Sequence, residues 1–325
     1  MRDSISRVPE GAIRYNTDSN KMEVWIGDKW MQVAVSESTP IGARGLIGGS
    51  QTTNNITYFT ISTAGNGVDF GDLTNPQDFA GSCASRTKGL WGGGRDPSNL
   101  NIISEVTIAT AGNAIDFGDI TVARRELAGF GNQTRGLFAG GTLGSSDVID
   151  FVTIASRSNA TDFGNLSSAR DGMAGLASPT RGIIAGGEGP SPYPGLNVIE
   201  FVTIASTGNA VDFGDLNSGK WAVSGCSSPT RGIINGNNPA YSGTIQFITI
   251  ASTGNSQDFG EWANATGSGA SFSSTTRGLW AYGDNDSTST VQFVEFATLG
   301  NGMDFGDSTA EVYRSAGCSN GHGGL

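Results

Sequence analysis

Short runs in which Phe, Ile, Val and Trp alternate with polar residues recur along the chain, the period of half-buried strands. Gly, Asn, Asp and Ser fill the gaps. Many short strands punctuated in this way predict an all-β sandwich, barrel or propeller. The runs are also self-similar. An Asp-Phe-Gly triplet begins at Asp69, Asp116, Asp162, Asp212, Asp258 and Asp304, in steps of 47, 46, 50, 46 and 46 residues. An aliphatic or aromatic stretch such as Phe151-Val-Thr-Ile-Ala-Ser precedes each triplet. Small residues follow it, then Arg-Gly and an apolar pair, at Arg135, Arg181, Arg231 and Arg277. Lys88 holds the same frame position, and Arg44 opens the series.

Each period holds four strand candidates, which in the fourth unit are Met173–Ala177, Gly182–Gly186, Val198–Ala205 and Ala210–Leu216. Four antiparallel strands in about 46 residues match one propeller blade. From each triplet Asp to the next frame position is always 19 residues, and from the residue closing the third strand (Ile61, Ile108, Ile154, Ile204, Ile250, Phe296) to the triplet Asp always 8. Length varies only between the frame position and that closing residue, at 17, 20, 19, 23, 19 and 19. The connection between second and third strands is therefore where insertion is tolerated. The first unit lacks a first strand, and Val312–Ser319 is a first strand without a unit. Pairing them removes an open edge. The expected fold is a six-bladed β-propeller over residues 39–325, closed by the C-terminal strand.

Repetition also assigns roles. Phe70, Phe117, Phe163, Phe213, Phe259 and Phe305 are expected to fill the wedge between neighbouring sheets. The triplet Asp and the frame Arg are expected to pair with each other or with turn amides. Cys83, Cys226 and Cys318 share a slot with Phe130, Leu176 and Phe272, so they read as small buried hydrophobes. Gly81, Ala128, Ala174, Ser224, Ala270 and Ala316, two positions earlier, are all small, as strands crowding an axis require.

The repeat resembles the kelch repeat. Arg124 and Arg170 match its arginine before the innermost strand, and Gly48, Gly140 and Gly186 its glycine pair after the second. The six Phe stand where kelch blades usually carry Trp. The extra Asp-Phe-Gly box and the Arg-Gly start of the second strand depart from cellular kelch adaptors.

Residues 1–38 lie outside the repeat. Gly11–Val33 reads as two or three short strands with turns at Asn16–Asn20 and Gly27-Asp28. A piece this short buries too little surface to fold alone. Its Tyr15, Trp25 and Trp30 are the candidate anchoring residues toward an assembly. The segment resembles a "G-x-I-R-Y-N-T-x-x-N-K-x-E-V" module near the start of many bacteriophage tail-fibre and virion proteins. The "T-I-A-S-T-G-N-A-x-D-F-G-D-L" repeat is similar to one in structural proteins of marine, especially cyanobacterial, phages. Together these resemblances imply a virion component, made in the host cytoplasm, that contacts other virion proteins through residues 1–38 and can form a homo-oligomer.

Composition narrows the function classes. A formal net charge of −11 without a Lys/Arg cluster disfavours nucleic acid as partner. No apolar run reaches spanning length, and residues 1–9 do not form a secretory signal. The single histidine, His322, reads as an exposed terminal residue, and no metal-ligand cluster, nucleophile elbow or phosphate loop is present. No enzyme activity, cofactor or metal is expected. Candidate ligand-binding residues cluster on the face formed by second-to-third and fourth-to-first connections: Asn99, Tyr193, Trp221, Tyr241, Trp262 and Asp286. Two functions fit: adhesion to a host-surface glycan or protein, as in a tail fibre, or a purely structural decoration or connector role on capsid or tail.

Overall fold

The structure, a computed structural model, describes residues 8–17, 21–32, 43–51, 53–142, 146–190, 192, 195–237, 243–263, 267, 269–281, 289–309 and 312–325. Every helix or strand among them is a β-strand. The chain divides into two compact units, Met1–Ile41 and Gly42–Leu325.

The first unit is a three-stranded antiparallel meander of Ile13–Asn16, Lys21–Ile26 and Lys29–Gln32. Gly27 and Asp28 turn the second hairpin with φ of 55° and 66°, the doubly left-handed two-residue turn whose twist matches that of the strands. Register puts Ile13 opposite Val24, Tyr15 opposite Met22, and Met31 opposite Val24. Trp25 and Trp30 pair across the other face, edge to face at 5.3 Å. Arg14 lies 4.2 Å over Trp30 and is ion-paired to Glu23 at 2.7 Å. Tyr15 and the two tryptophans thus point to opposite faces, because period-2 alternation separates them.

Among the described residues of the second unit the strands are antiparallel, in four sheets of four, one of seven and a two-stranded ribbon of Arg95–Asp96 and Ser98–Asn99, and neighbours in a sheet follow chain order except where Ala316–Ser319 joins the first repeat. The seven-stranded sheet is two repeats fused, since Val211–Ser227 ends one repeat and begins the next. In the fourth repeat the strands are Ala174–Ala177, Arg181–Ala185, Leu196–Thr203 and Val211–Ser227. The last continues past Leu216 because the long preceding connection supplies Leu196 as a partner for Lys220. Ala316–Ser319 pairs with Arg44–Gly48, Ser319 opposite Gly45, and so completes the opening repeat. The first strands lie side by side in chain order, and Ala316–Ser319 lies beside both Ala270–Ser273 and Gly81–Ala84. Serine hydroxyls bridge them where backbones do not, as in Ser82 Oγ to Gly317 O (2.8 Å) and Ser273 Oγ to Ser227 O (2.9 Å).

Each buried cluster draws on two successive repeats. Phe70 packs with Leu46 and Ile56 of its own repeat and with Trp91, Val106 and Ile108 of the next. Phe305 packs in the same way on Ile47, Phe59 and Ile61 of the first repeat. The other four triplet phenylalanines repeat this arrangement. The triplet glycine is required by the approach of the next repeat. Gly71 has φ 141° at a bulge, and a Cβ there would fall 2.6 Å from the Gly112 carbonyl oxygen. That turn is tied to the strand by Gly112 N to Phe70 O (2.7 Å) and Asp72 N to Asn113 Oδ1 (3.2 Å). The last repeat is tied to the first identically, by Gly65 N to Phe305 O (2.8 Å) and Asp307 N to Asn66 Oδ1 (3.1 Å).

The expected pairing of triplet Asp with frame Arg is not observed among the described residues. All six triplet carboxylates belong to exposed residues. The arginines instead donate to carbonyls closing the third strand of the next repeat: Arg135 to Ile204 (2.8 Å), Arg181 to Ile250 (3.0 Å) and Arg277 to Ile61 (3.2 Å). A guanidinium has donors only, so turn carbonyls rather than turn amides satisfy it. Each also lies over an aromatic ring, Arg135 over Phe151 at 4.7 Å and Arg277 over Phe293 at 4.8 Å. The glycine after the frame residue makes room for the previous repeat's core. A Cβ at Gly278 would fall 2.8 Å from Cys226 Sγ. All three cysteines are buried free thiols, and burial raises the pKa of Cys83 to about 12.

Candidate functional site

The first strands of all six repeats line a common cavity of about 300 Å³, open at the end where they begin. The lining there breaks the repeat. Ten positions before each frame residue stand Asp78, Arg125, Asp171, Trp221, Gly267 and Tyr313, and one position later Phe79, Glu126, Gly172, Ala222, Ser268 and Arg314.

The described members of this second set build a rim. Phe79, Glu126, Gly172, Ala222 and Arg314 have φ between 51° and 62°. Left-handed backbone costs a non-glycine residue about 1–2 kcal/mol, so four such residues at one mouth need a compensating constraint. A head-to-tail hydrogen-bond chain supplies it: Phe79 N to Arg314 O (2.8 Å), Glu126 N to Phe79 O (2.9 Å), Gly172 N to Glu126 O (2.9 Å), then Val223 N to Gly172 O (2.8 Å). Buried ion pairs sit directly behind. Arg124 meets Asp150 at 2.8 Å and Arg170 meets Glu200 at 2.6 Å, with all four side chains at 0–2% exposure. Lys220 takes the same slot without a carboxylate among the described residues. Its Nζ donates to Gly236 O at 3.0 Å, and burial lowers its pKa.

The rim is chemically lopsided. On one side Arg95 grips buried Asp78, at 2.6 Å from Nη2 to Oδ2, and the guanidinium groups of Arg95 and Arg314 lie 5.6 Å and 4.4 Å from the Phe79 ring. The hydrogen bond to Asp78 holds Arg95 firmly protonated. On the other side stand Glu126, Asp171 and Glu188. Asp171 accepts from Thr142 Oγ1 at 2.7 Å, and Asp171 and Glu188 are joined backbone to backbone. Burial first, then neighbouring negative charge, raises the pKa of Glu188. Burial likewise raises that of Asp171. Trp221, half-buried, completes this side. A guest at the mouth meets an aromatic face, carboxylate acceptors and cationic donors within one opening.

The other end of the first strands is covered. Asn320 N donates to Arg44 O (3.2 Å), His322 Nε2 lies 2.9 Å from Ala84 O, and Gly323 N donates to Ser227 O (2.8 Å). His322 therefore lines the inner cavity instead of standing free at the surface, and burial pushes its pKa down. The expectation of an exposed tail failed because Gly323 and Gly324 let the backbone lie in the buried interior.

Of the expected binding residues that are described, only Trp221 lines the mouth. Asn99 lies on the adjoining connection with its amide engaged, donating to Thr142 O at 3.0 Å. Trp262 is buried, not displayed. It packs on Trp280 with centroids 4.8 Å apart, beside Phe259 and Phe296. It occupies the slot held by Leu73, Ile120, Leu166 and Leu216, four residues after each triplet Asp, and that count was available from the sequence. Tyr193, Tyr241 and Asp286 lie outside the described residues. Phe79, Glu126, Asp171, Glu188 and Arg314 were missed. For all but Glu188 the signal was a frame position of divergent residue type directly before the small-residue strand, whereas Glu188 opens the longest connection between second and third strands. Among the described residues no group of three His, Cys, Asp or Glu is placed to hold a metal ion, and no helix is long and apolar enough to cross a membrane. Compared with known proteins, the chain matches no family model and no curated protein sequence.

Proposed function

We propose that residues 42–325 form a six-bladed kelch-like β-propeller, and that the protein is a non-enzymatic phage virion component whose propeller binds a host-surface glycan or protein at its open mouth. Support for the propeller comes from the succession of first strands that returns to its start, from the Phe and Asn contacts made alike at the junctions, and from the Arg contact that recurs at all of them but the one where Lys88 stands. The virion assignment rests on the two sequence resemblances. One observation carries the binding role: one end of the central cavity is covered by the chain's own tail, while the other is edged by Phe79, Glu126, Gly172, Ala222 and Arg314, a different residue type in each described repeat. Four left-handed non-glycine residues cluster at that same end, and backbone strain of this kind concentrates at functional sites.

The test is glycan-array and cell-surface binding by the full chain, compared with Trp221→Ala and Glu126→Gln. Loss of at least about tenfold in affinity is expected where an aromatic anchor is removed. Binding that survives both substitutions would move the ligand elsewhere. A structural decoration or connector role is the second reading, favoured by the apolar face of the first unit. Particle incorporation that fails without residues 1–38, with no ligand found for the mouth, would select it.

A further inference from the structure

The three-stranded sheet of the first unit is amphipathic in a way that its own contacts do not resolve. Its polar face is internally satisfied: Trp25 on Trp30, Arg14 on Trp30 and Glu23, and Asn16 Nδ2 on Glu23 Oε1 at 2.9 Å. The opposite face carries Ile13, Tyr15, Met22, Val24, Ile26 and Met31. Ile13 is 65% exposed, Ile26 47%, and Met22 and Met31 each 42%. Among the described residues Ile13–Asn16 and Lys29–Gln32 each have a strand on one side only, so both edges are open as well.

We propose that copies of this chain associate through this sheet, the strand Ile13–Asn16 of one copy pairing with Lys29–Gln32 of the next, in a closed ring with the apolar faces inward. Area and edges together select this occupant. Three strands about 4.8 Å apart, with rises of about 3.3 Å per residue, present a face of roughly 300 Å². Two such faces stacked bury roughly 600 Å² in all, against about 1,200–2,000 Å² for a stable specific interface. Stacking also leaves four edges unpaired. Head-to-tail edge pairing that closes on itself leaves none, and gives the apolar face an enclosed interior. The same arrangement leaves Arg14, Glu23 and the tryptophan pair outside. It adds self-association to the proposed virion role and does not depend on the mouth binding a ligand.

The test is the solution mass of the full chain by light scattering, with Ile13→Glu and Met22→Glu on the apolar face and Thr17→Lys in the adjoining turn. A whole multiple of the single-chain mass is expected for wild type and Thr17→Lys, falling to one chain for both glutamate variants. Ile13→Cys combined with Met31→Cys supplies a readout that does not depend on disrupting the sheet. Both positions lie opposite Val24 on the apolar face, one on each edge strand, about two strand spacings apart within a copy and too far for a disulfide there. The three native thiols are buried, so mild oxidation of the double variant is expected to give covalent multimers joined edge to edge, and neither single variant should give them. A wild-type chain that remains single throughout the micromolar range, with no multimers from the double cysteine variant, overturns the proposal and leaves another occupant for this face. An oligomer that both glutamate variants preserve overturns it equally.

Discussion

Arg277 reaches back 216 residues to donate from Nη1 to the carbonyl of Ile61 at 3.2 Å, and from the same nitrogen to Ser62 O at 3.0 Å. Arg181 makes the same pair of contacts to Ile250 and Ala251, both at 3.0 Å, between repeats adjacent in sequence. The contact that spans the whole second unit is therefore a copy of a local one. Arg277→Ala and Arg181→Ala are expected to lose similar stability, about 1–3 kcal/mol each for a charged hydrogen bond and a ring contact, toward the lower end because Arg277 is one-quarter exposed. Urea denaturation measures both. A negligible loss at Arg277 beside a clear loss at Arg181 would mean that the last and first repeats part easily in solution.

The second repeat carries a natural exchange of this contact. Lys88 replaces the arginine, and Glu105 replaces the aromatic ring beneath it. Lys88 Nζ meets Glu105 at 2.9 Å, and Arg157 meets the other oxygen at 3.1 Å. Glu105 is almost fully buried and Lys88 largely so, while Arg157 stays in solvent, so Glu105→Phe alone leaves Lys88 without its carboxylate and is expected to cost about 1–3 kcal/mol. Combined with Lys88→Arg, which restores the pattern of Arg135 on Phe151, most of that loss should return. A double-mutant cycle by thermal denaturation gives the coupling, expected at about 1 kcal/mol or more. Strict additivity would show that the two positions do not form one unit.

This exchange marks how far the sequence is legible. Fixed spacings of 19 and 8 residues located the four strands of each repeat, because insertion in a paired ladder would shift its register. The burial of the triplet phenylalanines followed from repetition alone. The destination of the frame arginine did not, because its partner is a backbone carbonyl, which every residue carries and no residue type advertises. The rim was hidden for a related reason. Left-handed backbone at Phe79, Glu126, Ala222 and Arg314 is imposed by hydrogen bonds between repeats, against the local preference of each residue. Trp262 was misplaced by its residue type, while its frame position pointed inward.

Phe305 tests whether the junction between last and first repeats carries a real core. Its ring is 2% exposed and packs edge to face on Phe59 at 6.1 Å and Phe293 at 5.8 Å. Phe305→Ala is expected to cost about 3–5 kcal/mol, whereas Met303→Ala, at 48% exposure on the same strand, should change stability by under about 0.5 kcal/mol. Denaturant midpoints with unchanged slopes check both. Similar small effects at the two positions would contradict the packing across that junction.

At the mouth, burial first raises the pKa values of Asp171 and Glu188, and negative charge adds to it, from Glu126 at Asp171 and from Asp171 and Glu126 at Glu188. A carboxyl whose folded pKa lies above its unfolded value stabilises the fold fully below the unfolded value, about 4, and that contribution is lost as pH rises through the folded pKa. Asp171→Asn keeps an acceptor for Thr142 while removing the charge. It is expected to raise the melting temperature at neutral pH and to leave it nearly unchanged under acid conditions, read by calorimetry at several pH values. An equal shift at all pH values would show that charge is not the cause.

Lys220 gives the opposite dependence. It is 2% exposed, burial lowers its pKa, and the homologous slots in the two preceding repeats hold Arg124 and Arg170 against Asp150 and Glu200. In its own repeat the acidic position is Gln246, whose Oε1 accepts from Ser256 Oγ at 2.6 Å and Asn217 N at 3.0 Å. Because the folded protein holds the Lys220 proton less tightly than the unfolded chain, stability should rise as pH rises from the depressed folded value to about 10.4, and fall on acidification through the same window. Lys220→Met removes that slope. Gln246→Glu keeps an oxygen for both existing donors and sets a carboxylate in the position Glu200 holds opposite Arg170, so it should also flatten the slope while adding about 1–3 kcal/mol near neutral pH. The comparison is decisive as a set: denaturation from neutral to alkaline pH must lose its slope in both variants but gain neutral-pH stability from the carboxylate. A slope that persists in Lys220→Met would assign the alkaline dependence to another group.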